Sequence, residues 1–203
     1  MNFVKTLLAS AALAASCSAG AAVSGSLGGP IGSFLSLSSA GLDGGAVATL
    51  AGGTVYNSDL PFADIPAGGV FENNFLAAGP TSTEPATLTF TSGITAVSFL
   101  WGSPDSYNRL TVNDSDGGST LFTASGLSFA VTNGNQSFSQ YVTFTGLAGA
   151  TITSLSFTNQ PSIDAFESAN YSVTTAVPEP ETYALMLAGL GAMGFVARRR
   201  RNA

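Results

Sequence analysis

The chain has 203 residues, of which 9% are charged and 45% are hydrophobic, and its formal net charge is −6. Between the two ends of the chain Arg109 is the only basic residue, so we expect an acidic surface that repels phosphate backbones and excludes nucleic-acid binding. Histidine is absent and the one cysteine lies near the N-terminus, which excludes disulfides, zinc sites built on His or Cys, and Ser-His-Asp triads from the rest of the chain.

Residues 1–21 have the three parts of a cleavable secretory signal peptide. Lys5 provides a basic head, residues 6–15 form an apolar stretch predicted to be helical, and small residues follow. Ala19 and Ala21 match the −3 and −1 positions that signal peptidase requires, so we predict cleavage after Ala21. A lipoprotein signal, with Cys17 as the acylated residue, is the alternative.

Residues 22–176 are predicted to form one extracellular all-β domain, an antiparallel β-sandwich with a jelly-roll-like arrangement. Apolar and hydroxyl residues alternate in runs about ten residues apart, with Gly, Asn, Asp and Pro between them, which is typical of such sandwiches. The clearest runs are residues 86–92, 97–101, 110–112, 141–145, 151–158 and 171–175. Residues 24–53 are richer in Gly and Ser, which predicts short strands or strands at an edge.

The segment from Leu100 to Asn108 places the single tryptophan next to a Gly-Ser-Pro-Asp turn. Aromatic rings beside carboxylate and amide groups are typical of sugar recognition, because rings stack on C–H faces and polar groups bind hydroxyls. The candidate glycan-binding residues are Trp101, Asp105, Tyr107 and Asn108. Alternatively, Trp101 and Tyr107 pack in the core and Asp105 stabilises the turn through its own backbone.

Two further acidic patterns are candidates for metal binding and for catalysis. Asp114 and Asp116 resemble the start of a calcium loop, but the downstream glutamate is missing, and the Asp-Gly pair favours a hairpin turn. Asp164 and Glu167 would alternate faces if both lay on a strand, and so would hardly converge as a catalytic pair. We therefore expect no enzymatic activity and no cofactor, with calcium as the open alternative.

Residues 177–203 form a three-part C-terminal segment. Pro178, Glu179 and Pro180 begin a stiff extended stretch, because each proline fixes its own backbone and restricts the residue before it. The apolar residues 182–197 predict a single transmembrane helix, about 24 Å long at 1.5 Å per residue. Arg198, Arg199, Arg200 and Arg201 predict a cytoplasmic C-terminus and an external domain.

This order of Pro-Glu-Pro, apolar segment and arginine block resembles the PEP-CTERM sorting signal of exosortase substrates. The resemblance implies recognition at Pro-Glu-Pro by a membrane exosortase, removal of the tail, and delivery to the cell surface or the exopolysaccharide matrix. A plain single-pass anchor is the alternative. The segment Trp101–Asn108 is also similar to a motif of exosortase-dependent surface proteins, and this similarity, over about residues 71–173, implies a sandwich domain.

Taken together, we predict an exported, non-enzymatic surface or matrix protein that passes through the inner membrane. Its predicted partners are signal peptidase, exosortase, exopolysaccharide and, before processing, the membrane. The first alternative is a carbohydrate-binding or adhesive module for an external glycan, and a less favoured one is a secreted glycan hydrolase.

Overall fold

The computed structural model describes residues 22–175 and, near the C-terminal end, residues 189, 190 and 193. The part of the chain that it describes contains no helix with the length and hydrophobicity needed to cross a membrane. The predicted signal peptide, with Ala19 and Ala21, lies outside the described residues. So do the Pro-Glu-Pro residues, the arginine block and, except for those three positions, the predicted transmembrane helix.

Within residues 22–175, twelve antiparallel strands form one sheet. Most are short, as expected from the many glycines and turn residues between them. The strands are β1 (Val23–Leu27), β2 (Leu37–Ser38), β3 (Gly41–Leu42), β4 (Ala48–Ala51), β5 (Thr54–Tyr56), β6 (Phe75–Ala78), β7 (Ala86–Gly102), β8 (Asn108–Asp114), β9 (Ser119–Phe122), β10 (Ser139–Gly146), β11 (Ile152–Asn159) and β12 (Phe166–Thr175).

Strand β7, with 17 residues, connects the two arms of the sheet. Its first half pairs with β4 and β11, and its second half pairs with β10 and β12. One arm therefore has the order β2-β3-β4-β7-β11-β8-β9, and the other has the order β1-β10-β7-β12-β6-β5. The sheet is nearly closed.

The predicted all-β antiparallel class is confirmed. The predicted pair of separate sheets is replaced by one continuous sheet, because the runs at 86–92 and 97–101 belong to a single strand that is long enough to serve both arms. The short or edge strands predicted for residues 24–53 are the four strands β1 to β4, of which β1 and β2 lie at edges of the sheet.

The inner faces of the two arms enclose one aromatic core. Phe157 on β11 meets Phe99 on β7 at a ring-centroid distance of 5.6 Å and Phe166 on β12 at 5.0 Å. All three rings are fully buried. The period-two alternation of the strands turns these rings inward and leaves Thr and Ser at the surface, which is why few charges are needed outside.

Candidate functional site

Trp101 is fully buried near the end of β7. Strand alternation places it on the same inner face as Phe99, and its ring stacks on that of Phe166 with centroids 4.2 Å apart. Its Nε1 donates a hydrogen bond of 3.4 Å to Oδ1 of Asn108. Trp101 therefore offers no exposed face to a sugar, and it corresponds to the core alternative of the sequence analysis.

Asn108 is also fully buried and stabilises the turn between β7 and β8. Its Oδ1 accepts a hydrogen bond from the backbone N–H of Asp105 at 2.7 Å, and its Nδ2 donates to Oδ1 of Asn159 at 2.7 Å. Asn159 in turn donates to the carbonyls of Ala78 and Asp164 at 2.7 and 3.0 Å. The two asparagines thus join the turn to β6, to β11 and to the segment before β12.

A cavity of about 260 Å³ opens beside this turn. Its lining combines three carboxylates with an amide, a hydroxyl and one aromatic ring, and contains no basic residue. The lining residues are Pro61, Phe62, Ala63, Ser103, Asp105, Gly134, Gln136, Asp164 and Glu167.

Glu167 lies at the inner wall of the cavity, near the start of β12, and is only 3% exposed. Its Oε1 accepts a hydrogen bond of 3.2 Å from the backbone N–H of Asp64, and its Oε2 accepts one from Ser103 Oγ. Burial disfavours the charged form of a carboxylate, because it removes the group from water. This effect outweighs the two hydrogen-bond donors and raises the pKa of Glu167 to about 8. Glu167 is therefore mainly protonated at neutral pH.

Asp105 and Asp164 provide the other two carboxylates, one buried and one exposed. Asp105 is 8% exposed, and burial raises its pKa. The hydroxyl of half-buried Tyr107 donates to Oδ2 of exposed Asp164 at 3.4 Å. Burial raises the pKa of Tyr107 as well, and the neighbouring Asp105 and Asp164 add to that effect.

The structure divides the four predicted glycan-binding residues. Asp105 lines the cavity and Tyr107 contacts a lining residue, whereas Trp101 and Asn108 are internal. Sequence reasoning missed Glu167 as a member of this site, and the structure places it in the lining of the same cavity as Asp164. Strand alternation does not apply to this pair, because β12 begins at Phe166 and Asp164 precedes it. Pro161, a turn signal, was the available clue to that boundary.

The candidate calcium residues Asp114 and Asp116 lie in the turn between β8 and β9. Oδ1 of Asp114 accepts hydrogen bonds from the backbone N–H groups of Asp116 and Gly118, both at 2.9 Å. Oδ2 of Asp114 is buried and has no hydrogen-bond partner. Across the described residues, no group of three or more His, Cys, Asp or Glu is placed to hold a metal ion. The hairpin interpretation of this motif is confirmed.

Comparison with known proteins identifies the C-terminal segment. Residues 176–201 match the PEP-CTERM protein-sorting motif. No curated protein matches the chain. The motif marks an exported protein that an exosortase sorts to the cell envelope.

Proposed function

We propose that this protein is a non-enzymatic component of the cell surface or exopolysaccharide matrix, and that exosortase releases it from its membrane segment at Pro178–Pro180. The observation that carries the proposal is the sorting motif over residues 176–201. Signal peptidase acts first in this scheme, after Ala21, and the arginine block keeps the C-terminus in the cytoplasm until processing.

The position of the last strand supports release of an intact domain. β12 ends at Thr175, and the sorting motif begins at the next residue. β12 lies inside the sheet, paired with β6 on one side and β7 on the other. Cleavage at Pro-Glu-Pro therefore removes none of the twelve strands.

The sorting step is tested by two matched substitutions in the full chain, expressed in a host with a working exosortase. We expect Glu179→Ala to retain the tail, because it changes the central residue of the motif. We expect Glu181→Ala, which removes the same type of side chain two residues later, to be processed like the original chain. Intact-mass measurement of the recovered protein distinguishes the outcomes. Normal processing of Glu179→Ala would refute the proposed recognition.

The non-enzymatic role is supported by the contacts of Glu167. Both of its carboxylate oxygens accept hydrogen bonds from the fold, and it is almost fully buried. Incubation of the protein with a panel of glycans, followed by assay of new reducing ends, should show no turnover. Turnover that disappears in Glu167→Gln would favour the hydrolase alternative instead.

A carbohydrate-binding role remains the second candidate, favoured by the cavity beside Asp105. It differs from a passive matrix role in one measurable property, which is affinity of the folded protein for a free sugar. The four predicted glycan-binding residues do not form the site together, since Trp101 and Asn108 are internal.

A further inference from the structure

Three aromatic side chains lie together at the surface of the arm that contains β10 and β12. The ring centroid of Phe34, in the segment between β1 and β2, lies 6.0 Å from that of Phe71 and 6.4 Å from that of Tyr141 on β10. Phe71 is 42% exposed, and the other two residues are half-buried. These three residues are called the aromatic patch below, and none of them lines the cavity beside Asp105. Clustered apolar surface with a polar border is typical of a binding site.

One buried asparagine holds two of the three aromatic residues in place. Asn170 on β12 is 5% exposed, and its Oδ1 accepts a hydrogen bond of 2.7 Å from the backbone N–H of Phe71. Its Nδ2 donates to the Tyr141 hydroxyl oxygen at 2.8 Å and to the carbonyl of Gly69 at 2.9 Å. The patch is therefore fixed before any ligand arrives, which lowers the entropy cost of binding.

The backbone around the patch is strained. The register of β12 with β7 shifts between Ala169 and Ser172, and Asn170 within this bulge has a left-handed φ of 54°. Glu72, the residue after Phe71, has a φ of 55°. Such conformations are costly for residues other than glycine and cluster at functional sites, where bulges re-aim side chains. Here the bulge lies at the residue that holds Phe71 and Tyr141.

Polar groups that can bind hydroxyls border the rings. The Tyr141 hydroxyl accepts the hydrogen bond from Asn170 and donates none within the described part of the chain, so its proton is free for a ligand. The exposed Glu72 carboxylate accepts from Ser36 Oγ, 2.8 Å from each of its oxygens, and keeps further lone pairs. Aromatic rings beside a few polar groups are the arrangement that sugar recognition uses.

The size of the patch favours a glycan over a protein partner. A stable protein interface takes roughly 800 Å² from each partner. An aromatic side chain contributes roughly 150–250 Å² when it is fully covered, and all three of these are already partly buried. The patch is therefore too small for a second copy of the chain, but it is large enough for a sugar ring.

The charge of the domain favours a neutral glycan. Residues 22–175 contain ten acidic residues and one basic residue, so an acidic polysaccharide would be repelled. Pyranose rings with equatorial hydroxyls present apolar C–H faces, which stack on aromatic rings without needing a charge.

We propose that the aromatic patch binds a neutral polysaccharide, with Phe71 stacked on the C–H face of a pyranose ring and the Tyr141 hydroxyl bonded to one of its hydroxyls. That this polysaccharide is the surrounding matrix rests on the function proposed above, whereas the binding site itself does not.

Titration calorimetry of the full chain, in a detergent without sugar headgroups, tests the ligand class. The probes are cellohexaose, a neutral chain with equatorial hydroxyls, and the same chain oxidised to carboxylates at C6. We expect cellohexaose to bind and the oxidised chain to bind at least about tenfold more weakly at low salt, because the acidic domain repels it. No binding of cellohexaose, or equal affinity for the oxidised chain, would overturn the proposal.

Substitutions at Phe71 test the site. Phe71→Leu keeps an apolar side chain but removes the flat ring, and we expect about tenfold weaker binding of cellohexaose. Phe71→Tyr keeps the ring and should retain binding. Leu121→Ala is the control, because Leu121 is 52% exposed on β9 of the other arm, and its binding should not change. Unchanged affinity in Phe71→Leu, or an equal loss in Leu121→Ala, would count against the patch, and thermal unfolding verifies that each variant is folded.

Sedimentation at increasing protein concentration tests the competing occupant. We expect a single species, because the patch is too small for a protein interface. A dimer that Phe71→Leu abolishes would show that a second copy covers the patch, and would overturn the proposal.

Intact mass of the same samples distinguishes this proposal from the sorting role. Processed protein that does not bind cellohexaose would refute the aromatic patch alone. Cellohexaose binding by protein that is never processed would refute the sorting and matrix role alone.

Discussion

At the scale of single residues, two buried side chains in and beside the cavity differ in whether they can ionise. Asn108 is neutral, and both polar atoms of its side chain, Oδ1 and Nδ2, are hydrogen-bonded. Glu167 is ionisable, and burial makes its neutral form the favoured one. The first should stabilise the fold at every pH, whereas the contribution of the second should change with pH.

Replacing Asn108 with alanine should lower the free energy of unfolding by about 3 kcal/mol. The substitution leaves Trp101 Nε1, the Asp105 N–H and Asn159 Oδ1 without their partner, and each unpaired buried group costs on the order of 1–3 kcal/mol before relaxation. Urea unfolding measures the loss. Asn133→Ala, at an exposed position, is the control and should change stability by less than about 0.5 kcal/mol. Equal effects in the two variants would contradict a structural role for Asn108.

Glu167 should make the protein less stable as pH rises. Its pKa is raised from an ordinary 4.5 to about 8, so between these values the folded state binds more protons than the unfolded state. The contribution of Glu167 to stability is then largest below about pH 4.5 and falls as pH approaches 8, by at most about 5 kcal/mol at 1.4 kcal/mol per pKa unit.

The comparison of Glu167→Gln with the original chain isolates this effect. The glutamine keeps the shape and cannot ionise, so its unfolding free energy should vary less across that pH range. Glu72→Gln, at an exposed position, should keep the original pH dependence. Denaturant unfolding at several pH values measures all three, and an identical slope for Glu167→Gln would show that Glu167 does not titrate in this range.

At the scale of elements, the edge strand β1 packs close to β9 where the two arms of the sheet meet. A Cβ atom at Gly25 on β1 would lie 2.8 Å from the Phe122 ring of β9, 2.8 Å from Phe144 and 2.9 Å from Leu127. Glycine is therefore required there for close packing of side chains against the backbone.

A valine at Gly25 should separate these edges and lower the unfolding free energy by about 1–3 kcal/mol, as overpacking does. Gly29→Ala is the control, because a Cβ at Gly29 meets nothing within 4 Å. Thermal unfolding of the two variants compares them directly. A Gly25→Val protein with an unchanged Tm would mean that the edges do not need to meet this closely.

At the scale of the whole molecule, the sorting segment and the β domain should be energetically independent. A chain that ends at residue 177 keeps all twelve strands, and we expect it to unfold cooperatively at the same Tm as the full chain. A chain that ends at residue 168 loses most of β12, which pairs with both β6 and β7, and we expect it not to fold. Circular dichroism during heating checks both, and a folded chain ending at residue 168 would contradict the central position of β12.

How much of the fold and of the cavity the sequence predicts depends on how far apart along the chain the interacting residues lie. The hairpin at Asp114–Gly118 and the strands around Phe99 and Phe157 follow from local patterns, because turn residues and alternation act within a few positions. The sequence offers core burial of Trp101 as one of two alternatives. It does not identify the stacking partner Phe166, because Phe166 lies 65 residues further along the chain. The sequence does not predict β6 and β9, because a strand of four residues is too short to show a clear alternation of apolar and polar residues.

The sequence by itself determined the sorting segment and the all-β class, because both depend on composition and order along the chain. Only the tertiary structure decided that one strand joins both arms and that Asp105, Asp164 and Glu167 line a common cavity. Asp105 lies in the turn after β7, Asp164 lies just before β12 and Glu167 is near the start of β12. Long-range strand pairing, which no local pattern specifies, brings these segments together.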